Sequence, residues 1–417
     1  MKQIPQPTIP SIEVADAECI TLSNGLKLYI LSSADFEILR LSVVFRAGSS
    51  SQQSPFTASA TANLLAEGSS RMSAREISEQ LDYHGSYFDV NIDRDYAYIS
   101  FAMLSKFVQP TLDVAAEILL RPAFAEEEVR TYCAKRKQRL AIDRTKVDVR
   151  AREAFAQALF GEDHPYGHCF DEAAYDLLQR DELIRFFRSH YTADNGFAVC
   201  SGRVGEAERQ AIIALLEQIP EQGEPYSIHF PTPVQQHEVR LKHEGAVQSA
   251  IRIGRLLFPR EHPDFLGMQV VSAALGGYFG SRLMQNLRER NGFTYGVMAA
   301  MVNFKQAGYL AIATQVGSEV TEQALEEIYA EIERLRTEGI TEEELQLVKN
   351  IMTGEMMRIL DGPFGVADVT IENILCGKSN QIITEQVERI RRITPAEVQA
   401  LAQKYLEREE LVTVVVG

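Results

Sequence analysis

The strongest constraint on this chain is that its second half repeats its first. The segment EEEV at 126–129 returns as EEEL at 342–345, an offset of 216 residues (342 − 126). RDELIRFFRSHY returns as PAEVQALAQKYL at an offset of 214 (405 − 191), and NGFAVCSG, ending at Gly202, returns as ELVTVVVG, ending at Gly417, at 215 (417 − 202). Three segments that share one order and nearly one offset indicate a tandem duplication of one folding unit.

The junction between the two copies falls at residues 217–236. There the sequence EQIPEQGEPYSIHFPTPVQQ is rich in Pro, Gln and Glu, a composition typical of an extended connection. We therefore predict an N-terminal domain at 1–220, a linker at 221–236 and a C-terminal domain at 237–417.

Each copy mixes strand and helix patterns, which predicts an α+β domain with helices packed on one face of a sheet. ITLSNGLKLYIL predicts two strands around an Asn-Gly turn. The other predicted strands are LRLSVVFRAG, DYAYISFAML and 197–201 in the first copy, and QSAIRIGRLLF, FTYGVMAAMV and GYLAIATQV in the second. Predicted helices cover about 107–160, 172–190, 263–275 and 281–290.

Charge and cysteine usage narrow the class of protein. The formal net charge of −16 disfavours a nucleic-acid role, because phosphate backbones require clustered Lys and Arg. The five cysteines are widely spaced and form no C-x-x-C pair, which argues against a disulfide scaffold and a Cys-based zinc site. The sequence shows no signal peptide and no membrane span, so we expect a cytoplasmic protein without a membrane partner. A periplasmic location is left open for a chain whose leader has been removed.

The segment SPFTASATANLLAEGSSRMSAREI, residues 54–77, predicts two short helices in succession. Ser54 is the predicted N-cap of the first helix and Gly68 its end. Ser73 and Glu76 form a predicted capping box for the second. The first helix carries only small and uncharged residues, which gives it no chemistry of its own.

Two histidines are the nearest approach to a metal-binding pair. His164 and His168, in DHPYGH, have the i, i+4 spacing of helical zinc ligands. Pro165 and Gly167 favour a loop instead, and no other close His pair exists. Phosphate-loop, nucleophile-elbow and dinucleotide-binding motifs are also missing from the sequence.

The stretch GGYFGSRLMQNLRERNGFTYGV, residues 276–297, predicts a helix that Ser281 caps and that ends at Asn291-Gly292. A strand carrying Tyr295 is predicted to follow. The helix dipole accounts for Arg288 in the last turn, and strand preference accounts for Tyr295. Taken alone, both residues are structural.

The order of SNGLKLYIL, SAREISEQLDYHGS, HPYG and SRLMQNLRERNGFTYGV resembles the pitrilysin / insulinase / mitochondrial processing peptidase family of zinc peptidases. The resemblance runs from about residue 18 to the C-terminus. It implies the processing-peptidase fold: two tandem homologous domains, each a mixed, largely antiparallel sheet with helices on one face. Active members carry H-x-x-E-H on the first helix and a further Glu about seventy-odd residues later, which together hold zinc and activate water.

This sequence departs from that pattern at every zinc position. The resemblance places the first His at Ser59, the Glu at Ala62 and the second His at Asn63. The distal Glu falls at Gln138–Leu140, where no carboxylate stands and Asp143 is the nearest acid. Ser and Asn are poor zinc ligands and Ala cannot act as a base. We therefore expect no catalytic zinc and no cofactor in this chain, and no peptide cleavage by the chain alone.

A second pair of family residues is present. In the family, an Arg and a Tyr seven residues apart reach toward the zinc site of the opposite half, hold the substrate backbone and stabilise the oxyanion. Arg288 and Tyr295, in LRERNGFTY, have that spacing (295 − 288 = 7). The combination resembles the zinc-free subunit of a heterodimeric peptidase. The implied partner is a zinc-bearing paralogous subunit, and the implied substrate is an unstructured peptide. LGGYFGSRL is too short to match the glycine-rich loop of the mitochondrial α-subunit, so a presequence role is not implied.

Two alternatives remain open at this point. The chain could be a structural or peptide-binding interaction protein, like the zinc-free core subunits of respiratory complex III, or it could self-associate without hydrolysis. Retention of Arg288 and Tyr295 favours the peptidase subunit, because a scaffold needs no transition-state donor. Zinc binding through other ligands, such as His84 or His164, would require the fold to bring them together.

Overall fold

The structure is a computed structural model that describes residues 12–33 and 35–417. The first 11 residues of the predicted N-terminal domain lie outside the described residues. The chain forms two sheets, one in each copy of the repeat, and the predicted α+β class with two tandem domains is confirmed. All five cysteines are free thiols.

The first sheet has six strands in the order β1-β2-β6-β3-β5-β4, and the second has five in the order β7-β11-β8-β10-β9. Neighbouring strands are antiparallel except β2 with β6 and β7 with β11. The two orders match strand for strand once β1 is set aside, as expected of a duplicated unit. The strands are β1 (Glu18–Thr21), β2 (Lys27–Ser32), β3 (Ile38–Phe45), β4 (Tyr87–Ile92), β5 (Ala97–Leu104), β6 (Gly196–Gly202), β7 (Glu238–Leu241), β8 (Gln248–Leu257), β9 (Val297–Asn303), β10 (Gly308–Gly317) and β11 (Val412–Val416).

Helices of each unit cover one face of its own sheet and build the two largest apolar cores. The first unit contains α1 (Thr57–Asn63), α2 (Ala74–His84), α3 (Val108–Leu120), α4 (Glu126–Asp143), α5 (Val147–Phe160), α6 (Arg180–His190) and α7 (Glu206–Leu216). The second contains α8 (Phe265–Gly276), α9 (Thr321–Thr337), α10 (Glu342–Ile359), α11 (Pro363–Leu375), α12 (Gln381–Arg392) and α13 (Pro395–Tyr405), with a π-helical segment at Met284–Arg290. In the described part of the chain, none of the helices combines the length and apolar character needed to cross a bilayer.

The second face of each sheet is covered by a helix from the other unit. Helix α5 of the first unit packs on the second sheet, where Ala158 and Val414 share a buried cluster. Helix α11 of the second unit packs on the first sheet, where Ile371 and Val199 share another. The two helices begin 216 residues apart (363 − 147), so the exchange is reciprocal. It explains why β11 is buried along its whole length instead of alternating.

The HPYG loop joins the two units through a buried polar contact. Tyr166 is 1% exposed and its hydroxyl donates to Oδ1 of Asp95 at 2.7 Å. The turn between β9 and β10 in the other unit completes the contact: the backbone N–H of Lys305 donates to Asp95 Oδ2 at 2.8 Å, and that of Gln306 donates to the Tyr166 hydroxyl at 3.2 Å. A carboxylate and a phenol thereby fix one unit against the other.

Several local predictions are confirmed. Ser73 and Glu76 make the capping box of α2. The Asn-Gly segment turns between β1 and β2, with Gly25 at φ 83°. The helical segment carrying Arg288 ends at Asn291, and Gly292 follows at φ 65°.

Other local predictions are wrong. Ser54 is not the cap of α1: the helix begins at Thr57 after Phe56, which has φ 62°, and the Ser54 hydroxyl donates to Glu182 at 2.6 Å. Gly68 lies beyond the end of α1, which stops at Asn63. The Ser281 hydroxyl is buried without a hydrogen-bond partner and caps nothing. Tyr295 precedes β9 instead of lying within it. Strands β4 and β7 and helix α7 were not predicted.

Candidate functional site

Helix α1 holds the three positions where the family pattern expects zinc chemistry. Ala62 is fully buried. The Ser59 hydroxyl donates to the carbonyl of Phe56 at 3.0 Å, and the Asn63 side-chain amide donates to the carbonyl of Ser59 at 2.7 Å. Both polar side chains are therefore bonded to their own helix. The left-handed entry at Phe56 is held by its ring, which stacks on Tyr175 with centroids 3.9 Å apart.

Helix α4 faces α1 with a phenol and a guanidinium. Ser59 and Arg136 lie beside the Tyr132 hydroxyl and favour its ionised form, but burial is the larger effect and raises the pKa of Tyr132. Of the segment predicted for the distal Glu, Leu140 lines the same cavity of about 490 Å³ as Ser59. Asp143 is engaged elsewhere, with Arg139 at 2.9 Å and Lys146 at 2.8 Å.

This donor set does not fit a zinc ion. A hydroxyl, an amide and a phenol are weak ligands for zinc, and the nearby Arg136 guanidinium would repel a divalent cation. Among residues 12–33 and 35–417, no group of three or more His, Cys, Asp or Glu side chains could hold a metal ion. The α1 region can offer polar contacts to a ligand, but it offers neither a Lewis acid nor a base for water.

The histidines lie in separate surroundings. His164 is buried, its Nδ1 accepts the backbone N–H of Tyr166 at 3.1 Å, and burial lowers the pKa of its ring. His168 stacks on Phe170 with centroids 4.1 Å apart and lines the cavity at Ser59. His84 ends α2 and contacts the Phe107 ring. The loop predicted for DHPYGH is confirmed, and the structure does not bring His84 and His164 together.

Arg288 and Tyr295 are brought into contact. The Arg288 guanidinium carbon lies 4.9 Å from the centroid of the Tyr295 ring and 4.6 Å from that of Phe279. Tyr295 is 89% exposed and Phe279 63% exposed, whereas the Arg288 side chain is 28% exposed. A cation held between two exposed rings is positioned by cation–π attraction while its N–H donors remain available to a ligand.

The backbone that carries Arg288 is a π-helix, a rare geometry that is frequent at functional sites. Asn286, which is 1% exposed, fixes it. Its side-chain amide donates to Glu331 at 2.7 Å and to Glu327 at 2.8 Å, and its Oδ1 accepts from Asn291 at 2.7 Å. The widened turn therefore rests on a buried polar network that anchors it to α9.

Sequence reasoning missed Phe279, Asn286 and the π-helix. The Gly-Tyr-Phe-Gly segment was interpreted as a connection, and its Phe279 ring reaches Arg288 only through the fold. Asn286 could have been noticed as a polar residue on the buried face of an apolar helix pattern. No sequence signal distinguishes a π turn from an α turn.

Comparisons with known proteins agree with this geometry. A family model described as "Insulinase (Peptidase family M16)" matches residues 31–164, and one described as "Peptidase M16 inactive domain" matches 178–352. The "Uncharacterized zinc protease YmxG" of Bacillus subtilis is 22% identical over 82% of this chain and 83% of its own length. A "Probable mitochondrial-processing peptidase subunit beta" of Arabidopsis thaliana is 20% identical over 99% of this chain and 81% of its own.

A solved structure supports the fold. The crystal structure of a peptidase M16 inactive domain from Pseudomonas fluorescens superposes with a TM-score of 0.88 at 21% identity, covering 96% of this chain and 98% of that one. Together, the two family models cover most of both repeats and follow each other in the order that the duplication requires. The chain therefore belongs to the insulinase family, peptidase family M16.

Proposed function

We propose that this chain is the zinc-free subunit of a two-subunit peptidase. It closes a peptide chamber and supplies Arg288 and Tyr295 to the zinc site of a paralogous partner subunit. The substrate is an unstructured peptide, and the zinc is held by the partner. The division at 1–220, 221–236 and 237–417 and the cytoplasmic location remain predictions that belong to this proposal.

The observation that carries the proposal is the contact between Arg288 and an almost fully exposed Tyr295. A large aromatic side chain that is 89% exposed has little structural reason to be where it is. Beside a guanidinium with free donors, it forms a pair that can bind a peptide carbonyl and an oxyanion on a second molecule. The α1 region adds the complementary fact that this chain lacks a fitting set of zinc ligands of its own.

The proposed chemistry is electrostatic stabilisation. Arg288 keeps its charge at any working pH and is held in place before substrate arrives, so it loses little freedom when the oxyanion forms. Removal of one such donor typically lowers kcat on the order of a hundredfold. Binding of substrate in the ground state should change much less.

The test is reconstitution with a zinc-bearing paralogue from the same organism. A quenched fluorescent peptide library is incubated with this chain, with the paralogue and with their mixture. We expect cleavage only in the mixture. Arg288→Ala should lower kcat by about a hundredfold, and Tyr295→Phe should lower it less. Arg290→Ala is the matched control, because Arg290 is an exposed arginine in the same π-helical segment, and it should leave kcat unchanged.

Two results would contradict the proposal. Full activity of the Arg288→Ala mixture would remove the donor role. Lack of cleavage in all three samples, with a stable homodimer or a different partner recovered, would favour the structural or peptide-binding alternative. Near-stoichiometric zinc in the purified chain would show that the assignment of Ser59, Ala62 and Asn63 as lost zinc positions is wrong.

A further inference from the structure

A second cavity, of about 600 Å³, lies against the face of the first sheet that α11 covers. Its walls come from both units: strands β2 and β6, the turn between β9 and β10, and the chain from the end of α11 to the start of α12. It shares no lining residue with the cavity at Ser59, and it contains neither Arg288 nor Tyr295. The proposed function makes no use of this space, which we call the inter-unit cavity.

Positive side chains dominate the lining of the inter-unit cavity. Although the chain has a formal net charge of −16, four cations line this one space: Lys27, Arg46, Lys305 and Lys378. Across the described part of the chain, none of the four has an ion-pair partner within 4.0 Å. Many other arginines are paired, as Arg282 is with Glu344 at 2.7 Å. The cations of the cavity are therefore available to a ligand.

Two carboxylates also line the cavity, and both already accept hydrogen bonds. Asp16 accepts the backbone N–H of Asn380 at 2.7 Å, and Asp194 accepts the Thr192 hydroxyl at 2.7 Å. Neither forms an ion pair with the four cations. The net charge of the lining is positive, which attracts anions into a low-dielectric space.

Arg46 and Lys305 are held close to each other by their backbones. The Arg46 backbone exchanges two hydrogen bonds with Asn195, at 3.0 and 3.1 Å, and the Lys305 N–H is fixed on Asp95 at 2.8 Å. Burial lowers the pKa of Lys305, and the charge of Arg46 lowers it further. Two like charges that the fold keeps together without a counter-ion are favourable only when an anion joins them.

The remaining walls indicate the size and kind of ligand. A volume of about 600 Å³ lies within the range of about 300–1,000 Å³ typical of small-molecule sites. Tyr29, Tyr96 and Phe197 give the cavity an aromatic side, with the Tyr29 and Phe197 rings edge to face at 6.0 Å. We propose that the inter-unit cavity binds a nucleotide-sized organic phosphate, with Arg46 and Lys305 on the phosphate groups and the aromatic side against the organic part.

Isothermal titration calorimetry of the full chain with ATP, tripolyphosphate and citrate tests this proposal. We expect ATP to bind saturably with one equivalent, more tightly than tripolyphosphate, and citrate to bind least. Arg46→Gln and Lys305→Gln should each weaken ATP binding by about tenfold or more, because each removes a charged hydrogen bond to phosphate. Lys242→Gln is the control: it makes the same change in net charge at an exposed position that does not line the cavity.

The outcomes separate a built site from general attraction. Equal weakening by all three substitutions, or no saturable ATP binding, would overturn the proposal. Citrate binding as tight as that of ATP would overturn recognition of phosphate. Lys305 is exposed, so its substitution should leave the thermal melting curve unchanged even where Arg46→Gln lowers it. Because no paralogue is present in the titration, failure here leaves the proposed peptidase role standing, and the reverse holds for the cleavage assay.

Discussion

Substitution of Tyr166 by Phe should destabilise the chain through one oxygen atom. The ring keeps its packing, since Phe304, Phe230 and Phe160 lie with centroids at 4.5, 5.3 and 5.5 Å. The hydroxyl takes with it the 2.7 Å bond to Asp95 and the acceptor for the Gln306 N–H. A hydrogen bond to a charged group contributes about 1.5–3 kcal/mol. Gln306 is exposed and water can replace its partner, so the expected loss is about 2–3 kcal/mol in the free energy of unfolding.

Urea denaturation followed by far-UV circular dichroism measures this loss, since the chain has no Trp to report by fluorescence. Tyr83→Phe is the matched control: Tyr83 is 81% exposed, and its substitution should change the free energy of unfolding by less than about 0.5 kcal/mol. A Tyr166→Phe loss no larger than that of the control would refute the reasoning, because Asp95 would then not depend on the phenol.

The pH dependence of this contribution has a definite sign. Burial and the bond to Asp95 raise the pKa of Tyr166 above its usual value of about 10. The folded state therefore keeps the proton that the unfolded state loses above about pH 10. The contribution should be complete below about pH 10 and should decrease as the pH rises further. The wild-type and Tyr166→Phe free energies should converge in that range.

Three further predictions concern stability. Burial lowers the pKa of His190 to about 4, so the unfolded state binds more protons between pH 6.5 and 4, and the urea midpoint should fall with pH in that window and fall less in His190→Gln. Asn286→Asp places a carboxylate against the buried Glu331 and should cost about 2–3 kcal/mol at pH 7 in the same urea assay; a smaller loss at pH 4 would confirm charge repulsion as the cause. Gly254→Ala puts a Cβ 1.8 Å from the carbonyl oxygen of Leu310 and should lower the thermal midpoint by several degrees, whereas Gly296→Ala, with open space around it, should not.

The sequence predicted the architecture well because a repeat is a global signal. Two copies of one pattern must form two copies of one sheet, and the matching strand orders follow. Capping at Ser73 was predicted because the box is local, with both partners within three residues. The edge strand β4 was missed because YFDVNI contains Asp89 and Asn91, which strand propensity disfavours and which an exposed edge tolerates.

The misses at the candidate sites have a common physical cause. The left-handed Phe56 is stabilised by Tyr175, more than a hundred residues away, and no local rule predicts a positive φ for phenylalanine. The π turn at Arg288 depends on contacts with α9. Spacing alone placed Arg288 near Tyr295, but the third member of the cluster, Phe279, comes from a loop whose path only tertiary packing determines.

The exchange of α5 and α11 bears on the origin of the chain. A single unit that lends one helix to its copy and receives the equivalent helix in return has the geometry of a domain-swapped homodimer. Joining the two subunits end to end through the connection at 217–236 turns that dimer into one polypeptide and makes the swap intramolecular. Cut within this connection, neither fragment would retain the helix that covers the second face of its sheet. Each should be insoluble when expressed alone and soluble when both are synthesised in the same cell.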